Sequence, residues 1–362
     1  MLIIEERSPV MKNHQKGCLI FLSTVACIII LFLHPNVNKQ FPLLQKHITN
    51  YYKWWRTYPR NDLGYVHPAD SFKSPHPVTV PGIMFVQTSD ELEPSQLATC
   101  AIESAARANP DKLVYYFMKG LSGNVSAYHQ AQYRSIPLLS SIKNVVILPL
   151  DLVELFSNTR LAEWYGKVDS SEKYWVHVLS DACRIALLWK YGGIYLDTDV
   201  ISLKPLDFKN FICAQSKNYA NGAALGFSRN HSFTADCIVD YVENYIGEEW
   251  GHQGPDLMTR MLKKWCGTDN LDNFLNKKCK GILYLSKSSF YPIPYNNWEK
   301  YFEKNTWNDN NDVIESQFSK TLGTHIWNFL SGRTSIEIKK SHSLIEYFFS
   351  HYCPRTYQYL PS

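Results

Sequence analysis

KYGGIYLDTDV, residues 190 to 200, packs a helix end, a short strand and two carboxylates into one stretch. In the segment before it, LSDACRIALLWKYGG, Ser180 is a good N-cap, and Ile185, Leu188 and Trp189 share an apolar helical face. Gly192 suits the left-handed backbone that ends a helix. Ile194, Tyr195 and Leu196 then read as a strand, with Asp197 and Asp199 at its end. Side chains two apart in a strand point the same way, with Cα atoms roughly 6.5 Å apart. The spacing therefore predicts both carboxylates in one pocket and Thr198 on the other side. Two such carboxylates repel unless a cation lies near them, and oxygen ligands suit Mn²⁺ or Mg²⁺, which keep positions open for phosphate oxygens. The pair looks like half of a metal-diphosphate site. A solvated turn would need no ligand. An EF-hand loop is excluded, because no glycine or later acidic ligand falls at the required positions. An aspartyl-phosphate phosphatase remains an alternative, although it places its pair after a longer buried strand.

Around this stretch, strand-like and helical runs alternate. GIMFVQTSD (82–90), LVYYFMKG (113–120) and NVVILPLD (144–151) read as strands, and Pro94 opens a helix to about Ala108. Such alternation predicts an α/β fold with parallel strands, crossover helices and a ligand beyond the strands' carboxyl ends. Gln87, Thr88, Ser89 and Lys119 stand at such ends and are candidate substrate contacts. Asp181 and Arg184 fall three apart in the expected first turn of the helix that starts at Ser180. An arginine there opposes the helix dipole by a few tenths of a kcal/mol unless an anion or polar ligand holds it. A local ion pair with Asp181 is the plainer explanation.

Hydrophobic residues make up 45% of the 362-residue chain and charged residues 19%, which is enough for a sizeable core and argues against disorder. A net charge of +4 with scattered basic residues gives no footprint of nucleic-acid binding. GCLIFLSTVACIIILFL, residues 17–33, is an uncharged run that spans roughly 25 Å as a helix. Arg7, Lys12 and Lys16 precede it. The expected layout is a cytoplasmic tail (1–16), a transmembrane signal-anchor (17–33), a proline-rich luminal stem (34–81) and one luminal catalytic domain (82–362). A cleaved signal peptide is the alternative. Seven cysteines follow the anchor, none in a Cys-x-x-Cys pair, so zinc and thioredoxin-like readings are poor. Cys266 and Cys279 are close enough to bridge a loop; the connectivity stays open, and an odd count leaves at least one thiol free. Asn124 and Asn230 head acceptor sequons for N-glycosylation.

SDACRIALLWKYGGIYLDTDV (180–200) resembles the signature of glycosyltransferases with a Gly-rich turn and an Asp-x-Asp motif. Together with YFMKGL, WGHQGPDLMTRMLKKWC, FYPI and HYCPRTY, in that order between about residues 82 and 357, the chain resembles the animal Golgi α-1,4-glycosyltransferases. The resemblance implies a GT-A type, Rossmann-like nucleotide-sugar-binding fold, a UDP-sugar donor, Mn²⁺ with Mg²⁺ as the alternative, and a glycan or glycolipid acceptor. It implies Asp181 and Arg184 on donor-sugar hydroxyls, Tyr195 near the nucleotide, Asp197 on ribose and metal, and Asp199 as the main metal ligand. His325, in HIWN, would complete the metal sphere, and Asn221 would approach the anomeric carbon. His252 and Gln253, in a glycine-bounded turn before a helix beginning at Pro255, are candidates to face a sugar. Asp197, Asp199, Asn221 and Gln253 form the expected catalytic set. The expected activity is retaining α-1,4 transfer from UDP-N-acetylglucosamine to a terminal galactose of an O-glycan, in a single-pass type II protein of the Golgi membrane. Galactose transfer to lactosylceramide is the alternative, and an inactive, lectin-like luminal binding protein is the reading of another class.

Overall fold

Residues 78, 80–121, 133–306, 311–332 and 337–361 are described by the computed structural model. The tail, the anchor, nearly all of the stem and the sequon at Asn124 lie outside the described residues. Among the described residues no helix is long and apolar enough to cross a membrane.

The three predicted strand runs form β1 (Gly82–Gln87), β2 (Val114–Met118) and β3 (Val145–Pro149), and the run before the aspartates forms β4 (Gly193–Leu196). They lie parallel in the order β3-β2-β1-β4. β1 and β2 are apolar and buried almost throughout, as strands covered on both faces must be. Alternate residues feed two cores: Ile83, Phe85 and Tyr116 one, Met84, Val86 and Tyr115 the other. β4 enters beside β1 through Gly193 at φ 112°, where an added Cβ would lie 2.3 Å from the Gly82 carbonyl oxygen.

Beyond β4 the pairing is mostly antiparallel. The chain continues through β5 (Val200–Ser202), β6 (Phe211–Ser216), β7 (Tyr219–Phe227), β8 (Lys277–Cys279), β9 (Ile282–Leu285) and β10 (Gly323–His325). The eight-stranded sheet runs β3-β2-β1-β4-β7-β6-β9-β8, with β4–β7, β6–β7 and β8–β9 antiparallel and β6–β9 the one further parallel pair among the described strands. Two-residue turns explain the hairpins: Asn218 takes φ 56° between β6 and β7, and Lys280 and Gly281 take φ 42° and 88° between β8 and β9. The fold is thus mixed α/β with a parallel-rich half. β5 and β10 pair separately as an antiparallel ribbon with His325 opposite Val200.

The helix before the aspartates runs Trp175–Tyr191 and ends, as expected, at Gly192 with φ 69°. It begins five residues before Ser180, because Trp175, Val178 and Leu179 extend the apolar pattern upstream. Ser180 is therefore no N-cap, and Arg184 sits mid-helix, away from the dipole's positive end. The helix after β1 spans Gln96–Ala108, with Ser95 rather than Pro94 at its start; the Ser95 hydroxyl accepts from Ala98 N at 3.1 Å. Pro255 lies in a π-helical turn, His252–Asp256, and the α-helix proper is Leu257–Cys266.

Cys266 is bonded to Cys279, and Cys100 to Cys353, while Cys183, Cys213 and Cys237 are buried thiols. The second bond fastens the C-terminal HYCPRTY segment to the helix after β1. Buried Glu103 reinforces it, accepting from Arg355 N at 3.0 Å, Thr356 N at 2.8 Å and Thr356 Oγ1 at 2.7 Å. A Cys100→Ser/Cys353→Ser protein should lose about 2–5 kcal/mol of stability. The urea midpoint measures this, and an unchanged midpoint would contradict a structural role for the bond.

Candidate active site

Strand order reverses between β1 and β4, since β2 and β3 extend the sheet on one side of β1 and β4 lies on the other. Such a switch point opens a crevice beyond the strands' carboxyl ends. A cavity of about 830 Å³ lies there, lined by Gln87 at the end of β1, by Thr88 and Ser89 after it, and by Asp197, Thr198 and Asp199 after β4. The aspartates are not in a strand. β4 ends at Leu196, Asp197 N donates to the Ala223 carbonyl at 2.9 Å, and Val200 N donates to the Asp197 carbonyl at 3.0 Å. This tight turn turns Thr198 to the cavity as well, contrary to the strand expectation.

Asp199 is held from the far end of the chain. Its Oδ2 accepts from Asn328 N at 2.8 Å, and its Oδ1 lies 3.3 Å from His325 Nε2. The β5–β10 ribbon sets that approach, with Ile326 N donating to the Asp199 carbonyl at 2.9 Å. Asp197, Asp199 and His325 each present a ligand atom within 4.8 Å of the others. Asp197 Oδ1 accepts from Tyr195 OH at 2.7 Å and lies 3.2 Å from Arg184 Nη2, which is 3.0 Å from Asp181 Oδ1. Arg184 therefore bridges two carboxylates across the cavity floor. Its Nε, the Tyr291 hydroxyl and His325 Nδ1 are buried without a hydrogen-bond partner. Two carboxylates, an imidazole and unspent polar atoms beside them fit a divalent cation and a polar ligand.

Charge and burial oppose each other here. Burial raises the Asp181 carboxyl to about 6 against the pull of Arg184, and burial likewise raises Asp199 against the pull of His325. Burial works against the Arg184 charge too, but Asp197 and Asp181 outweigh it and its pKa rises.

Residues 95–218 match the model described as "Glycosyltransferase sugar-binding region containing DXD motif", and residues 226–360 match "Alpha 1,4-glycosyltransferase conserved region". The chain is 39% identical to the α-1,4-N-acetylglucosaminyltransferase of Homo sapiens over 278 residues, covering 76% of this chain and 80% of that protein. It is 44% identical to the lactosylceramide 4-alpha-galactosyltransferase of Mus musculus over 314 residues, covering 84% of this chain and 85% of that one. The chain belongs to the α-1,4-glycosyltransferase family. It is an enzyme, and the binding-protein reading falls. Among solved structures, the galactosyltransferase LgtC is similar over 77% of this chain and 96% of its own, at 15% identity and a TM-score of 0.38, which carries no argument about the site.

Most of the sequence-derived residues of this glycosyltransferase converge on the cavity. Thr88 Oγ1 donates to the Val176 carbonyl at 2.7 Å, and Gln87 is bonded to Tyr116 and to the Glu91 carbonyl. Tyr195 is 1% exposed, so only its hydroxyl edge reaches Asp197. Asn221 lies in β7 rather than in a turn; its Oδ1 accepts from Ala223 N at 2.8 Å and its amide bonds Gln215. Gln253 lines the cavity, but its Nε2 donates to the Tyr241 carbonyl at 2.8 Å and so braces the backbone. Gly254 beside it has no Cβ, which would lie 2.8 Å from Asp181 Oδ2.

Two candidates stand elsewhere. Lys119 is drawn to Asp90 at 2.6 Å and is not among the residues lining the cavity. The His252 ring points to the Asn244 carbonyl at 3.0 Å, because the π-helical turn rotates it away while burying Gln253. Asn230 is exposed at the surface. Tyr291, Trp250 and Phe329 line or border the site without having been singled out; Tyr291 sits in FYPI and Trp250 opens WGHQGPDL, so the motifs held them but their side chains carried no chemical signal.

Replacing Arg184 by Met strands the buried Asp181 carboxylate and leaves half-buried Asp197 with Tyr195 alone. The variant should lose about 3–5 kcal/mol of stability, read from thermal or urea unfolding. A loss below about 1 kcal/mol would mean that the bridge is weak, as exposed pairs are.

Proposed function

We propose that this α-1,4-glycosyltransferase has a GT-A architecture and moves a hexose from a UDP-sugar, with retention, to the 4-hydroxyl of a terminal galactose. The observation that carries this reading is the convergence of Asp197, Asp199 and His325 within 4.8 Å, beside the Arg184 bridge. Two donors fit. UDP-N-acetylglucosamine, for transfer to an O-glycan, follows from the resemblance of KYGGIYLDTDVIS and HYCPRTY. UDP-galactose, for transfer to lactosylceramide, is favoured by the 44% identity to the enzyme named for that acceptor.

Asp197, Asp199 and His325 would hold Mn²⁺, since an imidazole beside carboxylates favours it over Mg²⁺. When bound, the cation neutralises the diphosphate and takes up charge as it departs. Arg184, fixed by Asp181, binds hydroxyls of the donor sugar, and Asn221 lies toward the anomeric carbon. The bond from that carbon to the diphosphate oxygen breaks, the acceptor oxygen bonds the carbon on the same face, and the acceptor proton passes to the departing diphosphate. A double displacement would need a free carboxylate nucleophile. The carboxylates on the cavity floor are committed instead: Asp181 to Arg184, Asp197 to Arg184 and Tyr195, and Asp199 to Asn328 and His325. Front-side attack within an ion pair is therefore favoured.

We further propose a type II arrangement in the Golgi membrane, with tail 1–16, anchor 17–33, stem 34–81 and a luminal catalytic domain 82–362. Two disulfides suit an oxidising lumen, and exposed Asn230 would be open to glycosylation there.

Purified protein should hydrolyse one of the two UDP-sugars slowly with Mn²⁺ and not after chelation. Asp199→Asn should lower turnover by roughly 10²-fold or more with the unfolding midpoint retained. Full turnover in that variant, or turnover indifferent to chelator, would reject the metal assignment; a trapped glycosyl-enzyme adduct would reject front-side attack.

A further inference from the structure

The cavity's mouth carries a ring cluster that donor binding leaves unexplained. Trp250 and Phe329 stack with centroids 3.9 Å apart and planes within 20°. His177 meets both edge-on, at 4.8 Å and 5.2 Å, and Tyr174 meets Trp250 edge-on at 5.3 Å. The rings come from three separated segments, and all four line the cavity. Trp250 is nevertheless 45% exposed. Phe329 covers one face of the indole, and His177 lies beside both stacked rings, so nearly half of the residue's surface stays open at the cavity. An indole held rigidly open at a substrate cavity suits a ligand with an apolar face.

Its place along the chain ties it to the transfer centre. Phe329 follows Asn328, whose N–H binds Asp199 Oδ2 at 2.8 Å, and consecutive Cα atoms are about 3.8 Å apart. The stack is thus anchored one residue from the group that fixes the candidate metal ligand.

We propose that Trp250, braced by Phe329 and His177, is the platform on which the acceptor's terminal galactose stacks. This rests on the preceding reading that the acceptor is a β-galactoside attacked through its 4-hydroxyl. Galactose carries that hydroxyl axially, which leaves the C–H groups at positions 3, 4 and 5 as one apolar patch on the opposite face. The positive C–H edges meet the negative face of the indole. Stacked this way, the sugar turns its 4-oxygen away from the ring and toward the cavity. In glucose, with an equatorial 4-hydroxyl, the C4–H turns to the face opposite those of carbons 3 and 5, so the patch at positions 3, 4 and 5 is lost and the platform favours galactose.

Methyl β-galactoside is the probe. Wild-type, Trp250→Ala and Trp250→Phe proteins are compared in transfer from each UDP-sugar, in donor hydrolysis without acceptor, and in saturation-transfer NMR of probe binding with methyl β-glucoside as control. The acceptor KM should rise at least about tenfold in Trp250→Ala and recover largely in Trp250→Phe, the size expected for one stacked ring. Donor hydrolysis should stay within about twofold, which also verifies folding. Saturation should be strongest at the protons on carbons 3, 4 and 5, stronger for galactoside than glucoside, and lost in Trp250→Ala. An unchanged acceptor KM in Trp250→Ala, equal loss of donor hydrolysis, or probe saturation that survives the substitution overturns the platform. Absence of hydrolysis with both donors in the wild type sinks the donor reading, and the NMR comparison still decides the platform.

Discussion

Three carboxylates, Asp181, Asp197 and Asp199, crowd one cavity floor, and the fold tolerates them because Arg184 bridges the first two while His325 faces the third. Without a cation such a cluster is repulsive and costly to bury. Its neutralisation is incomplete: burial still raises Asp181 and Asp199, and polar atoms of Arg184, Tyr291 and His325 go unspent. That deficit is what a metal and a diphosphate sugar would complete. The site is preorganised for charge, so the protein pays for its arrangement during folding rather than during transfer.

The sheet explains why this cluster lies where it does. A parallel half places strand ends at one edge, and the reversal of order at β1 and β4 opens the crevice there. The antiparallel half has another task. β7 backs the aspartate turn through the Ala223 carbonyl, and the separate β5–β10 ribbon brings His325 and Asn328 against Asp199. The Arg184 bridge thus rests on the helix Trp175–Tyr191 and the turn after β4, while His325 and Asn328 close on Asp199 from a segment far along the chain.

The same distant segment carries Phe329, which places the aromatic mouth one residue from the group that holds Asp199. Trp250 arrives from the loop before the π-helical turn, a helix type common at functional sites. That turn also buries Gln253 and lets Gly254 approach Asp181. Charge at the floor and rings at the rim divide the cavity into a polar zone and an apolar one, as a transferase with two different sugar substrates requires.

Periodicity and motif spacing alone determined the strands of the parallel half and the helix end at Gly192, and put Cys266 near Cys279 and Asp197 near Asp199. These are local properties, written in alternation, turn glycines and short separations. Tertiary structure decided the rest. It moved the aspartates from a strand into a turn, placed Ser180 and Arg184 mid-helix, sent Lys119 to Asp90, and turned His252 outside the cavity. It also chose Cys353 for Cys100, a separation of 253 residues, and His325 for Asp199. Which distant segment meets a local motif depends on how whole layers pack, and no window of neighbouring residues contains that information.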